Sequence, residues 1–269
     1  MVASLVFIAI ALFMLVLVVW SRWRRRRIEK APFPQSWLAY IEKILPIYNK
    51  LNAVDQQQLQ RLIKVFIDQK SFYGCAGLQI NDEIRVSIAA QACLLLLNRS
   101  GPVYGNLHYI LVYPQAFQKT SIQVDEAGVV AQSDRGLLGE SWSNGKVILS
   151  WDDVTRGVSD FSDGHNVVLH EFAHQLDTQS GSTNGAPPLY RNRYSVWAKV
   201  LAAEFDQLQQ NALSNQHTVM DHYGATNPAE FFAVATETFF EKPLEMAQRH
   251  PELFEQLKLY YCVDPSAWQ

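Results

Sequence analysis

His170-Glu171-Phe172-Ala173-His174, read with its flanks as HNVVLHEFAHQLDTQS over residues 165–180, decides the fold. Four residues along a helix bring two side chains back to within about 40° of each other around the axis. His170 and His174 can therefore reach one metal ion from one side. Glu171 faces the flank, where it can act as base on a metal-activated water. This is the minimal arrangement of a zinc hydrolase. The bare H-E-x-x-H pattern occurs by accident in roughly a few per cent of chains this long, so its surroundings must carry the reading.

They do. Val168, Leu169, Phe172, Ala173 and Leu176 line one apolar face, and His170, His174 and Asp177 another. No Pro or Gly falls between His165 and Ser180, which predicts a helix of about four turns. Ser162 and Asp163 are expected to cap its N-terminus. Asp177 comes back to the histidine face. It is expected either to fix a histidine ring by a hydrogen bond or to belong to the loop that ends the helix.

Two histidines need a third protein ligand, with water in the fourth position. The metzincin extension H-E-x-x-H-x-x-G-x-x-H fails, because Asp177 stands where Gly is needed and Ser180 where His is needed. The remaining common solution is a glutamate on a later helix. NPAEFFAVATETFFE, residues 227–241, opens with an N-cap and a Pro at the first helical position. It sets Glu230, Val234, Glu237 and Glu241 on one face of an otherwise aromatic helix. Glu230 and Glu237 lie about 10.5 Å apart along the axis, so one zinc cannot take both. Glu230, in the first turn and suited to a helix N-terminus, is the favoured ligand. Glu237 is the runner-up, or else a hydrogen-bond partner behind a ligand or a contact to a substrate amine.

The N-terminus carries the second strong signal. Residues 2–20 are uncharged and apolar apart from Ser4, and Arg22, Arg24, Arg25, Arg26, Arg27 and Lys30 follow at once. As a helix the run spans about 28 Å, the thickness of a bilayer core. Positive charge after the run, with no small-residue cleavage site, excludes a secretory signal peptide. The expectation is a single-pass anchor in a bacterial inner membrane, with Trp20 and Trp23 at headgroup level and the catalytic part in the cytoplasm. The division expected is an anchor at 1–20, a basic linker at 21–35 and a metallopeptidase domain at 36–269.

Among the 269 residues, three cysteines and no C-x-x-C exclude a disulfide framework and a Cys-ligated zinc. A net charge of −3 excludes direct nucleic-acid binding through bulk charge. Helical periodicity marks residues 36–48, 54–69, 82–98, 191–211 and 244–261. Residues 72–77 read as a loop, 108–113 as a strand and 128–131 as a weak strand. Asn144-Gly145 predicts a hairpin between 141–142 and 146–151. Strands in the middle and helices on both sides give an α+β class, mostly helical with a small mixed sheet.

HEFAHQLD followed by YGATNPAEFFAVATETFF resembles the Mlc titration factor A family of zinc-dependent peptidases. GCAGLQINDEIRVSIAAQACLLLLN, HYILVYP and GESWSNGKVILSW resemble that family in the same order, over roughly residues 60 to 260. The resemblance implies a zincin-like, gluzincin-type peptidase, similar to an aminopeptidase. It implies one Zn²⁺ held by His170, His174 and Glu230, with Glu171 as base. It also implies Tyr223 as the phenol that stabilises the transition state, with His222 the competing donor. The expected partners are a peptide or protein substrate, the membrane, and a transcriptional regulator, since the family binds a glucose-responsive repressor. A second reading follows: a tethered regulatory protein that sequesters such a repressor with little turnover. The intact Glu171 argues against it. Two departures stand out. The best-known members look soluble, and the Asp that gluzincins commonly place four residues after the third ligand is Val234 here.

Overall fold

Apolar residues at helical spacing fill most of this chain, and helices fill most of the fold. The structure, a computed structural model, describes residues 2–115, 121–124, 130–133 and 145–268. In chain order come α1 (Val2–Lys30), α2 (Gln35–Ile44), α3 (Ala53–Gln69), β1 (Ser71–Gly74), α4 (Asp82–Leu94), β2 (Tyr109–Tyr113), β3 (Ser121–Val124), β4 (Val130–Ser133) and β5 (Lys146–Ser150). Then follow α5 (Trp151–Ser159), α6 (Val167–Asp177), α7 (Tyr194–Leu213), α8 (Pro228–Glu241), α9 (Pro243–Arg249) and α10 (Pro251–Tyr261). The fold is mostly helical α+β.

The sheet differs from the expected mixed one. β1, β2 and β5 lie side by side in that order, all parallel, with Ser71 opposite Tyr109 and Tyr109 opposite Lys146. β3 and β4 form a separate antiparallel pair. Parallel neighbours need long crossovers, and α4 supplies the one between β1 and β2. The first arm of the hairpin expected around Asn144-Gly145 lies outside the described residues. Its second arm is β5, which pairs parallel with β2. Ile110, Val112, Val147 and Leu149 point into the core. Gly145 starts β5 at φ +67°, and a Cβ there would sit 2.8 Å from the Asn106 carbonyl oxygen.

The N-terminal expectation is overturned. No helix among the described residues is long and apolar enough to cross a membrane. The single-pass anchor and the inner-membrane placement drawn from it therefore fall. α1 does not stop at Trp20; it runs unbroken through the arginines to Lys30. Its charged half packs on α3. Arg24 pairs with Asp68 at 2.7 Å and Arg61 with Glu29 at 3.3 Å, while Lys64 donates to the carbonyls of Glu29 and Ala31. Trp20 and Trp23, expected in a headgroup layer, lie under the guanidinium groups of Arg24 and Arg27 at 5.9 and 5.7 Å. Arg24, Glu29 and the Ala31 carbonyl tie this end of the helix to α3, while most of the basic side chains are exposed.

α6 crosses the core with Val168, Leu169, Phe172 and Ala173 fully buried. Its opposite face lies on α8, where every residue from Ala229 to Glu241 is buried. That pairing builds the site.

Candidate metal centre

Each of the two helices is set by an asparagine. Asn166, and neither Ser162 nor Asp163, caps α6: its side-chain oxygen accepts from the N–H groups of Val168 and Leu169 at 3.1 and 3.0 Å. Asn227 caps α8 in the same way, accepting from Ala229 and Glu230 at 3.0 Å each, with Pro228 at the first position. The caps fix where each helix begins, and so which residues face the other helix. α6 runs three turns and passes into a 3-10 turn at Thr178–Ser180, short of the four α-helical turns expected.

His170, His174 and Glu230 converge. His170 Nε2 lies 2.9 Å from Glu230 Oε2 and 3.2 Å from His174 Nε2, and His174 Nε2 lies 3.4 Å from the same Glu230 oxygen. Ligand atoms about 2.1 Å from a tetrahedral ion sit about 3.4 Å apart, so this spacing fits a metal. Two imidazoles and a carboxylate suit zinc, and permit Mn or Co. Among the described residues these three form the group able to hold a metal ion.

Glu237 lies behind the trio. Its Oε1 is 2.7 Å from His170 Nδ1, which directs the other ring nitrogen toward Glu230 and His174. The 10.5 Å rise that separates the two glutamates is filled by one histidine ring held between them.

Electrostatics reflect this crowding. Burial works against charge on Glu230, but the hydrogen bonds and charge of His170 and His174 outweigh it and hold the carboxyl down to about 2. Burial works against charge on His170 too, yet Glu237, Glu230 and Glu171 together raise it well above the usual histidine value. Burial lowers His174. Carboxylates thus surround the two imidazoles and favour positive charge at this point, as a metal cation would supply.

Glu171 is fully buried on α6 between the two histidines. Tyr223 sits in a 3-10 turn, His222–Ala225, half-exposed, with its ring centre 6.0 Å from that of His170. His222 turns elsewhere. Its Nε2–H donates to the Gln216 carbonyl at 2.9 Å, and it lines a neighbouring cavity of about 390 Å³. Asp177 takes the loop alternative: its carboxylate accepts the Gly185 N–H at 2.7 Å, and burial pushes it up to about 6. Gly185, at φ +78°, leaves no room for a Cβ, which would meet the Pro228 carbonyl oxygen at 2.4 Å. Asp177 therefore ties the loop after α6 to the start of α8.

A cavity of about 440 Å³ opens beside the trio, lined by Asp153, Arg156, Asp163, His170, Asp221 and Tyr223 among others. The sequence reading missed Asn166 and gave Glu241 no task. Both are buried beside Glu237. An Asn one residue before an apolar helical run was the available signal for the first. For the second it was a third carboxylate on the Glu230 face.

The profile of the family described as Glucose-regulated metallo-peptidase M90 matches residues 20–262. The chain belongs to that family. The M90 assignment makes it a relative of metallopeptidases and implies a metal, for which the trio is the fitting place. The M90 chain is 44% identical to the uncharacterized protein slr2042 of Synechocystis sp. over 248 residues, covering 91% of this chain and 90% of that one. It is 31% identical to proteins named Mlc titration factor A from Yersinia pestis and Yersinia pseudotuberculosis over 226 residues, 83% of each chain.

Proposed function

We propose that this M90 chain is a zinc-dependent peptidase of gluzincin type that acts on peptide N-termini. The observation that carries the reading is the convergence of His170, His174 and Glu230 with Glu171 on the same helix. A zinc ion held by the three would supply Lewis-acid polarisation of water and of the scissile carbonyl. Glu171 takes a proton from the attacking water and returns it to the leaving amine. Its burial keeps bulk water from competing for that proton. Tyr223 donates a hydrogen bond from its phenol to the developing oxyanion. Asp163 and Asp221 on the cavity wall suit the ammonium group of a peptide N-terminus, while Asp153 is paired with Arg156 at 3.2 Å.

The reading is tested by metal analysis with digestion of a peptide library. One zinc per chain, cleavage next to free N-termini, loss with a chelator and recovery with zinc are expected. A zinc-loaded chain that leaves the library intact would refute it. Tyr223→Phe should lower kcat about 10- to 100-fold with little change in KM, since the phenol acts on charge that develops only in the transition state. Equal losses in binding and turnover would remove that role.

A second reading is favoured by the relatives named Mlc titration factor A. The chain would bind a transcriptional regulator and turn over little. The same library separates the two.

Burial makes the metal-free chain sensitive to pH. Glu241 is pushed up to about 8 from 4.5, and Asp177 to about 6 from 3.8. The folded chain keeps these protons where the unfolded chain releases them. The stability so gained is full below the unfolded values and lost as pH rises through the folded ones. His170, raised, adds to the trend, and His174, lowered, opposes it near neutrality. Urea unfolding of chelator-treated protein is expected to show lower stability at about pH 8.5 than at about pH 5. Glu241→Gln should reduce the difference.

A further inference from the structure

We propose that Asn166 and Glu241 are positioning residues of the metal centre, holding Glu237 against His170 so that His170 Nε2 faces Glu230 and His174. The inference rests on the metal reading above and assigns two residues outside the ligand trio, of which Asn166 also lines the cavity.

Glu237 spans two partners. One oxygen meets His170 Nδ1 at 2.7 Å, and the other accepts the backbone N–H of Asn166 at 2.5 Å. Asn166 is thus bound three ways. Its N–H holds Glu237, its side-chain oxygen caps α6, and its side-chain NH₂ donates to Glu241 Oε1 at 2.9 Å. Glu241, one turn beyond Glu237 on α8, accepts the Gly164 N–H on its other oxygen at 2.9 Å. Asn166, Glu237 and Glu241 are 1, 6 and 2% exposed. Gly164 stands at φ +81° with the Lys242 side chain 3.1 Å from where a Cβ would be. The entry to α6 is pinned to α8 by three N–H donors on two carboxylates.

Two acidic side chains four residues apart in a buried helix lose their hydration, and ionising both would set like charges one turn apart. Apolar side chains of similar volume would serve plain packing at least as well. What the carboxylates provide is direction. Glu237 is acceptor-only when ionised, so the His170 nitrogen that faces it must carry a proton. That leaves Nε2 as the ring's metal-facing atom. Glu237 alone could rotate. With its second oxygen on Asn166, and Asn166 clamped by Glu241, it has one orientation.

The test uses the full chain. Zinc affinity is measured by competition with a chromogenic chelator. The His170 Nδ1–H proton is followed by NMR in the metal-free protein, and thermal midpoints are recorded alongside. Glu241→Leu should weaken zinc binding about 10- to 100-fold and speed exchange of the Nδ1–H proton. Glu241→Gln, which keeps one acceptor, should recover part of the affinity. Asn166→Ser keeps a cap and the backbone N–H but loses the link to Glu241, and reads the same connection if the Leu variant does not fold. Zinc affinity within about twofold of wild type together with an unchanged Nδ1–H proton, at whatever thermal midpoint, would show the pair to be merely structural. A wild-type chain that binds no zinc defeats the metal reading itself, and the proton arm then decides the inference alone.

Discussion

Glu171→Gln is expected to lower kcat by about a thousandfold while zinc stays bound at one ion per chain. The substitution keeps the size of the side chain and removes its capacity to take a proton. Glu171 is fully buried in α6, and the three ligand candidates are other residues, so the ligand set is untouched. Turnover of the best library peptide, measured beside bound zinc, checks this. Turnover within a few-fold of wild type would show that the proton goes elsewhere. Loss of zinc in the variant would show that Glu171 supports the ligands as well. The result also bears on the regulator-binding reading, since a chain that works by binding alone is indifferent to this change.

The second large effect lies on the far face of the same helix. Phe172→Ala should destabilise the fold by about 3–5 kcal/mol. Phe172 is fully buried, with ring centres 4.9 Å from Tyr104 in an edge-on contact and 5.6 Å from Phe66. Tyr104 is itself held by a hydrogen bond to the Ala92 carbonyl at 2.7 Å, so the cavity cannot readily collapse. Urea unfolding, read at several metal concentrations, measures the loss. A cost under about 1 kcal/mol would mean that neighbouring rings close the gap. The prediction matters for function because Phe172 and Ala173 are the two variable positions of HEFAH. They seat the helix while His170 and His174 face α8.

The site was legible because its chemistry is written in short-range periodicity. His170 and His174 share a face by spacing alone, and the 227–241 segment announces its helix by Asn227, Pro228 and an aromatic run. A rise of 1.5 Å per residue ruled out ligation by both glutamates and left the choice between them open; the fold sets Glu230 beside both histidines and Glu237 against His170 Nδ1. What depends on distant partners was not legible. Asn166 outcompetes Ser162 and Asp163 as a cap because Glu237 and Glu241 fix it from another helix. β1 reads as a loop because Gly74 and Gly77 look like turn residues. It becomes a strand only by pairing with β2, residues 109–113, and Gly74 is required there because a Cβ would strike the Leu78 carbonyl. The same kind of non-local pairing sets β5 parallel to β2, a partner that the Asn144-Gly145 turn signal does not reveal. At the N-terminus the arginines were read as a topology signal that ends the apolar run, whereas the helix continues through them and Arg24 pairs with Asp68 on α3. Pro251, inside the expected last helix, splits it into α9 and α10 at the residue where a backbone donor is missing.

The wide separation of α6 and α8 along the chain sets a timetable for biosynthesis. His170 is added to the chain 60 residues before Glu230. Until residue 241 has emerged, α6 lacks the carboxylates that hold its entry and complete its trio. Glu171 therefore precedes the finished centre. As the peptidase proposed above, the nascent chain would be unable to attack its own growing polypeptide, or its neighbours on a polysome, before α8 docks.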